Sequence, residues 1–198
     1  AALTTPQPVD LQAMLATLVE RGGTDLVMEV SSHALEQKRT DPVRFDVVGF
    51  TNLTQDHLDY HGTLEEYFAI KATLFDTENS VRGVVIVDDD AGRQLYEQAT
   101  AERPGAVVSL SLAGNEADWS VTSEGQQFTL EGPRGTLTTH TDLPGKFNVA
   151  NAALAIAMVI ESGVDAQAVA AALSPGGMSP VIPGRMEVVG DRPYTVVD

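Results

Sequence analysis

The chain of 198 residues contains no cysteine. Disulfides, thiolate nucleophiles and cysteine-based zinc sites are therefore excluded, which fits a reducing, cytoplasmic setting. Positive charge is also scarce. Twelve Lys and Arg stand against 28 Asp and Glu, giving a formal net charge of −16. Such a field repels phosphate backbones and anionic lipid, so neither nucleic acid nor membrane is expected as a partner. No apolar run approaches the ~18 residues of a membrane helix. The opening Ala1-Ala-Leu-Thr-Thr-Pro6 has neither the basic nor the apolar stretch of a secretory signal. It also lacks Met and leads directly into patterned sequence, so a natural start is not expected here.

What the chain does have is a hydrophobic content of 43%, ample for the core of one large domain. In the first two-thirds, short apolar stretches alternate with helical spacing. Asp10–Arg21 carries Leu11, Leu15, Leu18 and Val19 at helical intervals and stops at Gly22-Gly23. Leu26–Val30, Phe45–Phe50, Gly83–Val87 and Ala106–Leu110 read as buried strands. Between the last two, Asp88-Asp-Asp90 is expected to cap a helix from Ala91 to about Glu102. Strands separated by helices imply an α/β fold, a mostly parallel sheet flanked by helices. The pattern then changes to short alternating segments over 117–123, 127–131 and 135–139, a small antiparallel β meander. An alanine-rich helix from Asn148 to about Ser162 follows, then one capped by Asp165 and ending at Leu173. A Pro/Gly loop over 174–184 leads to closing strands near 185–189 and 194–197.

The densest chemistry lies between Thr51 and Leu74. Asp56, His57, Asp59 and His61 offer four potential metal ligands within six residues. Carboxylate and imidazole suit Mg²⁺, Mn²⁺ or Zn²⁺, although an exposed polar loop has the same composition. Thr63-x-x-Glu66 is a capping box that starts a helix with Leu64, Tyr67, Phe68, Leu74 and Phe75 on one stripe. Lys71 shares that stripe. A lysine there extends its amine to solvent, finds a partner, or changes chemically, reacting with CO₂ to become an anionic carbamate that serves a metal.

Glu29 precedes Ser31-Ser32-His33 at a strand's carboxyl end, where open parallel sheets bind ligands. Equally, Glu29 is placed for an ordinary salt bridge and Ser31 for a helix cap. Asn148 and Asn151, three apart, suit a nucleobase or ribose edge, while Asn148 also suits a plain N-cap. Arg185 is placed to approach a phosphate or to pair with Glu187.

Taken together these residues resemble the Mur ligase family, most closely its MurE type. The resemblance rests on Thr4-Thr5-Pro6, Glu29-Val-Ser-Ser-His-Ala-Leu35 with Gln37 and Arg39, Phe50-Thr-Asn-Leu53 and Asp56-His-Leu-Asp-Tyr-His-Gly62. Ala69-Ile-Lys-Ala-Thr-Leu-Phe75, Leu143-Pro-Gly-Lys-Phe-Asn-Val-Ala-Asn151 and Pro183-Gly-Arg-Met-Glu187 complete it. These motifs span nearly the whole chain in the family's order. The resemblance implies an ATP-dependent amide ligase of peptidoglycan synthesis, a monomer, adding a diamino acid to UDP-MurNAc-L-Ala-D-Glu through an acyl phosphate. It assigns Thr4, Thr5, Ser31, Gln37 and Arg39 to the UDP-MurNAc-dipeptide. Glu29, His57 and a carbamylated Lys71 go to Mg²⁺, and Asn148, Asn151 and Arg185 to ATP. Asp56, Asp59 and His61 belong to the motif without an assigned role.

One departure is large. The family's phosphate-binding loop is expected upstream of Thr4, yet no Gly-x-x-x-x-Gly-Lys-[ST] occurs in the chain. The uridine-binding and amino-acid-selecting domains are not recognised either. The chain thus reads as a central ATPase domain without its phosphate loop, expected to be inactive alone. Competing readings are a folylpolyglutamate synthetase or another Mur ligase, a non-catalytic nucleotide- or Mg²⁺-binding remnant, and a metal-dependent hydrolase built on the Asp/His cluster.

Overall fold

The computed structural model describes residues 4–41, 43–54, 62–180, 188–190 and 196–197. The chain divides into two compact units, Ala1–Val48 with Leu53–Val81, and Gly49–Asn52 with Arg82–Asp198.

The first unit holds helices α1 (Pro8–Glu20), α2 (Ser32–Glu36) and α3 (Leu64–Ala72), the last running into a 3₁₀ turn over Thr73–Phe75. Pro8 at the first helical position of α1 needs no N–H partner, and Leu11 is its buried residue. Val19, expected on the inner stripe, is 71% exposed. The expected box at α3 is present in full. Thr63 Oγ1 accepts from the Glu66 N–H, and Glu66 Oε2 accepts from the Thr63 N–H. Helix α2 packs against α3.

The expected strand Leu26–Val30 does not form. The segment is irregular, with Val27 91% and Leu26 45% exposed. A parallel strand exists only through its ladder, and β1 (Phe45–Phe50) opens the strand order with no neighbour from residues 26–30.

The strands β1, β2 (Ser80–Ile86), β3 (Val107–Ser111), β4 (Trp119–Glu124), β5 (Gln127–Gly132) and β6 (Gly135–His140) form one sheet in sequential order. β2–β3 and β3–β4 are parallel, and β4–β5 and β5–β6 antiparallel. The meander therefore continues the main sheet: Leu110 pairs with Trp119, and Ser111 with Ser120. Val188–Gly190 and Val196–Val197, β7 and β8, form a separate antiparallel pair.

In the second unit, helix α4 (Asp90–Glu102) leaves β2 through a tight turn. Asp89 is its cap, accepting from the Gly92 N–H at 2.6 Å. A Cβ on Gly92 would stand 1.9 Å from the Ile86 carbonyl oxygen, so only glycine allows that closeness. Helix α5 (Lys146–Glu161) buries Ala153, Ala157 and Ile160. Helix α6 (Ala166–Leu173) starts at Asp165, whose carboxylate accepts from the Gln167 and Ala168 N–H groups. Among the described residues no helix is long and apolar enough to cross a membrane.

The last residue of α5 is a buried acid. Glu161 is 2% exposed, and its carboxylate accepts from Arg82 on β2 (2.5 Å) and from the indole N–H of Trp119 on β4 (3.1 Å). Arg134, in the β5–β6 turn, approaches it at 3.5 Å and donates to the Ile160 carbonyl. A carboxylate at a helix C-terminus opposes the dipole, so the two guanidinium groups offset both burial and the helix end. Trp119 is fully buried, its ring lying against Gly132, where a Cβ would come within 2.3 Å. Glu161→Ala would leave the Trp119 indole and the Arg82 head without this acceptor. The expected cost is about 3–5 kcal/mol, read from the urea midpoint, with Glu161→Gln costing less because it keeps the shape and an acceptor.

Candidate functional site

Most of the residues assigned to the UDP-MurNAc-dipeptide lie in one hydrogen-bonded network within the first unit. Thr5 is fully buried. Its hydroxyl donates to the Glu29 carbonyl at 2.9 Å and accepts from the Ser31 N–H at 3.0 Å. One side chain thus ties the irregular 29–31 segment in the way a neighbouring strand would. Ser31 caps α2 by accepting from the Ala34 N–H at 3.3 Å, so the structural role foreseen for it is realised. Thr4, next to this network, is exposed.

Helix α2 ends in a paired closure: the Lys38 N–H reaches the Leu35 carbonyl, and the Arg39 N–H the Ala34 carbonyl. Lys38 takes the left-handed conformation such an ending requires, with φ 55°. That turn brings residues 37 and 39 together. Arg39 is 7% exposed; its Nη1 donates to the Thr5 carbonyl (3.0 Å), and its Nε and Nη2 to Gln37 Oε1 (3.1 and 2.6 Å). Gln37 is exposed. Nothing in a lysine's chemistry signals a positive φ, so sequence reading missed Lys38.

Lys71 lies on α3 as the periodicity required. Tyr67 and Phe68 are buried, Lys71 is half-buried, and its ammonium stands 5.2 Å from the centre of the Tyr67 ring. The ring face attracts a cation. A carbamate at this position would be repelled by the same face and would have to leave it. The Glu29 side chain is exposed. His57, with Asp56, Asp59 and His61, lies outside the described residues. Among the described residues no group of three or more His, Asp or Glu side chains is arranged to hold a metal. The donors assigned by resemblance, a carboxylate, an imidazole and a carbamate, are mostly hard oxygens of the kind Mg²⁺ prefers.

In the second unit, α5 begins at Gly145, whose φ of 100° makes it the entry residue. The alternative that Asn148 is the N-cap is overturned, because Asn148 lies in the first turn and its Nδ2 donates back to the Pro144 carbonyl at 2.8 Å. Asn151, three residues on, is exposed. Beyond α6, the Met178 N–H donates to the His140 carbonyl and Ser179 Oγ to the Asp142 carboxylate, laying this segment beside the end of β6. Arg185 lies outside the described residues. Lys38→Gly removes the cost of a side chain in the left-handed region and is expected to stabilise the protein by about 1 kcal/mol. The check is a shift of the chemical-denaturation midpoint to higher denaturant.

With this geometry in hand, comparison with known proteins is informative. Residues 1–159 match the family model of the Mur ligase middle domain. A UDP-N-acetylmuramyl-tripeptide synthetase of Leifsonia xyli is 45% identical over the whole chain, which covers 40% of that protein. A UDP-N-acetylmuramoyl-L-alanyl-D-glutamate–2,6-diaminopimelate ligase of Streptomyces coelicolor is 41% identical over 98% of the chain and 39% of its own length. The chain thus spans about 40% of the relatives it matches. A solved structure of a ligase bearing that second name superposes with a TM-score of 0.82 and 32% identity, covering 95% of this chain and 39% of that one. A MurF structure from Acinetobacter baumannii, 22% identical with a TM-score of 0.63 over 77% of this chain and 33% of that one, shares the fold. The chain belongs to the Mur ligase family, as a middle domain matched across its length by MurE-type relatives.

Proposed function

We propose that this chain is the middle-domain portion of a cytoplasmic, monomeric ATP-dependent ligase. Its reaction joins the amine of a diamino acid to the terminal carboxylate of UDP-MurNAc-L-Ala-D-Glu during peptidoglycan synthesis. The observation that carries the reading is the network of Thr5, Ser31, Gln37 and Arg39. Residues scattered over 34 positions converge on one turn, in a chain whose relatives bear the names of such ligases.

In this reading the dipeptide carboxylate attacks the γ-phosphorus of ATP, giving an acyl phosphate and ADP. The amine then displaces phosphate, leaving an amide. Both reactants of the first step are anions, and the chain itself carries a net charge of −16, so positive charge has to be supplied locally. Bound Mg²⁺ supplies that neutralisation, and Glu29, His57 and a carbamylated Lys71 are the residues proposed to hold it. Thr4, Thr5, Ser31, Gln37 and Arg39 are proposed to bind and orient the UDP-MurNAc-dipeptide. Asn151 and Arg185 are proposed for ATP, with Asn148 beside them. The phosphate-cradling loop and the uridine- and amino-acid-binding domains are proposed to be supplied by sequence outside these 198 residues.

Two measurements test the reading. Residues 1–198 incubated with UDP-MurNAc-L-Ala-D-Glu, ATP, Mg²⁺ and either meso-diaminopimelate or L-lysine are expected to release no phosphate, whereas the full-length polypeptide turns over. Turnover by the 198-residue chain alone refutes the division of labour, and a full-length protein that prefers a folate refutes the substrate. For Lys71, electron density of the full-length protein grown with Mg²⁺ and bicarbonate is expected to show a carbamate turned off the Tyr67 ring. A plain amine still over the ring counts against it.

A further inference from the structure

Helix α5 is entered from β6 through the short passage 141–145, and the segment that follows α6 grips this passage from the side. The two backbones meet in a parallel bridge between Thr141 and Met178. The Met178 N–H donates to the His140 carbonyl at 2.8 Å, and the Asp142 N–H to the Met178 carbonyl at 3.0 Å. Thr141 is 2% exposed; its N–H donates to the Gln126 carbonyl, and its Oγ1 accepts from the Leu143 N–H at 3.3 Å. Side chains close the same contact. One Asp142 oxygen accepts from Ser179 Oγ, and the other stands 3.6 Å from His140 Nε2. Gly177 lies against the His140 ring, where a Cβ would come within 2.4–2.6 Å of three ring atoms. Its φ of 63° is in the left-handed region that favours glycine.

The side-chain contacts stand in water. His140 and Asp142 are 42% and 62% exposed, and pairs this open add little to stability. What they fix is the course of the passage. It ends at Gly145, and Asn148 Nδ2 ties back to the Pro144 carbonyl at 2.8 Å. A displacement of residues 142–144 is therefore passed on to Asn148 and the first turn of α5.

We infer that Asp142, Ser179 and Gly177 are positioning residues for ATP. They form a latch that sets the start of α5, which carries Asn148 and Asn151, and they do not touch the nucleotide themselves. This rests on the assignment of those two asparagines to ATP in the proposed function above.

The test uses the full-length protein, titrated calorimetrically with ATP and Mg²⁺ and, separately, with UDP-MurNAc-L-Ala-D-Glu. Asp142→Ala and Ser179→Ala are each expected to weaken ATP binding about fivefold. The double variant is expected to lose no more, because both changes remove one shared contact. Asp142→Asn keeps an oxygen for the Ser179 hydroxyl and is expected to bind ATP within about twofold of the parent. Gly177→Ala presses on the imidazole from the other side of the latch and is expected to repeat the loss of about fivefold. Dipeptide binding is expected to hold in every variant, which a loosening of the whole fold would not allow. Variants that bind ATP as the parent does overturn the inference, as do variants that lose both ligands alike. A double variant about twenty-fivefold weaker means two independent contacts and overturns the latch. A parent that binds no ATP refutes the ATP assignment before any variant is made, and the inference falls with it.

Discussion

The carboxylate of Glu161 is the constraint around which the second unit is arranged. A desolvated charge has to be met from several directions, and here β2 sends Arg82, β4 sends Trp119 and the β5–β6 turn sends Arg134. These contacts bind the far end of α5 to strands that belong to the parallel and the antiparallel parts of one sheet. The helix is a rigid rod rising ~1.5 Å per residue, so Asn151 stands about 15 Å along it from this anchor. Its other end is set by Gly145 and by the Asn148–Pro144 bond. The helix that carries Asn148 and Asn151, two of the residues proposed for ATP, is thus fixed at both ends by polar groups, with an alanine-rich middle that lets it lie close to the sheet.

The first unit uses polar groups differently. There the network is built from a buried threonine and a buried arginine, and it delivers a serine cap and an exposed glutamine to one turn. In the second unit the charge is buried to hold strands and helix together. In the first the buried guanidinium holds the Thr5 carbonyl, and the Thr5 hydroxyl in turn ties Glu29 and Ser31 at the end of a stretch, residues 26–30, that belongs to no strand. Both arrangements follow the same rule, that a polar group removed from water dictates the geometry of whatever satisfies it.

Features written in a few consecutive residues were legible in the sequence. The Thr63–Glu66 box, the Asp89 and Asp165 caps and the span of β1 need only local chemistry, and all are present. Features that depend on distant partners were not. Leu26–Val30 has the composition of a buried strand, but composition cannot supply the neighbour that makes one. The join of β3 to β4, which turns the meander into part of the main sheet, depends on Leu110 meeting Trp119. The partners of Glu161 lie 79, 42 and 27 positions away in the chain. Within the candidate site, the motif residues were identifiable by type. That Arg39 is buried and Gln37 is not came only from the left-handed turn at Lys38.

The exposed Leu26 and Val27 bear on how the polypeptide behaves in bulk solution. Apolar side chains on an irregular stretch of backbone invite adhesion between molecules, and what opposes it here is mutual repulsion from a net charge of −16. That repulsion fades over ~8 Å at physiological ionic strength and over ~3 Å in molar salt. Colloidal behaviour is therefore governed by the electrolyte: dilute buffer keeps molecules apart, and concentrated salt or acid lets the sticky stretches meet.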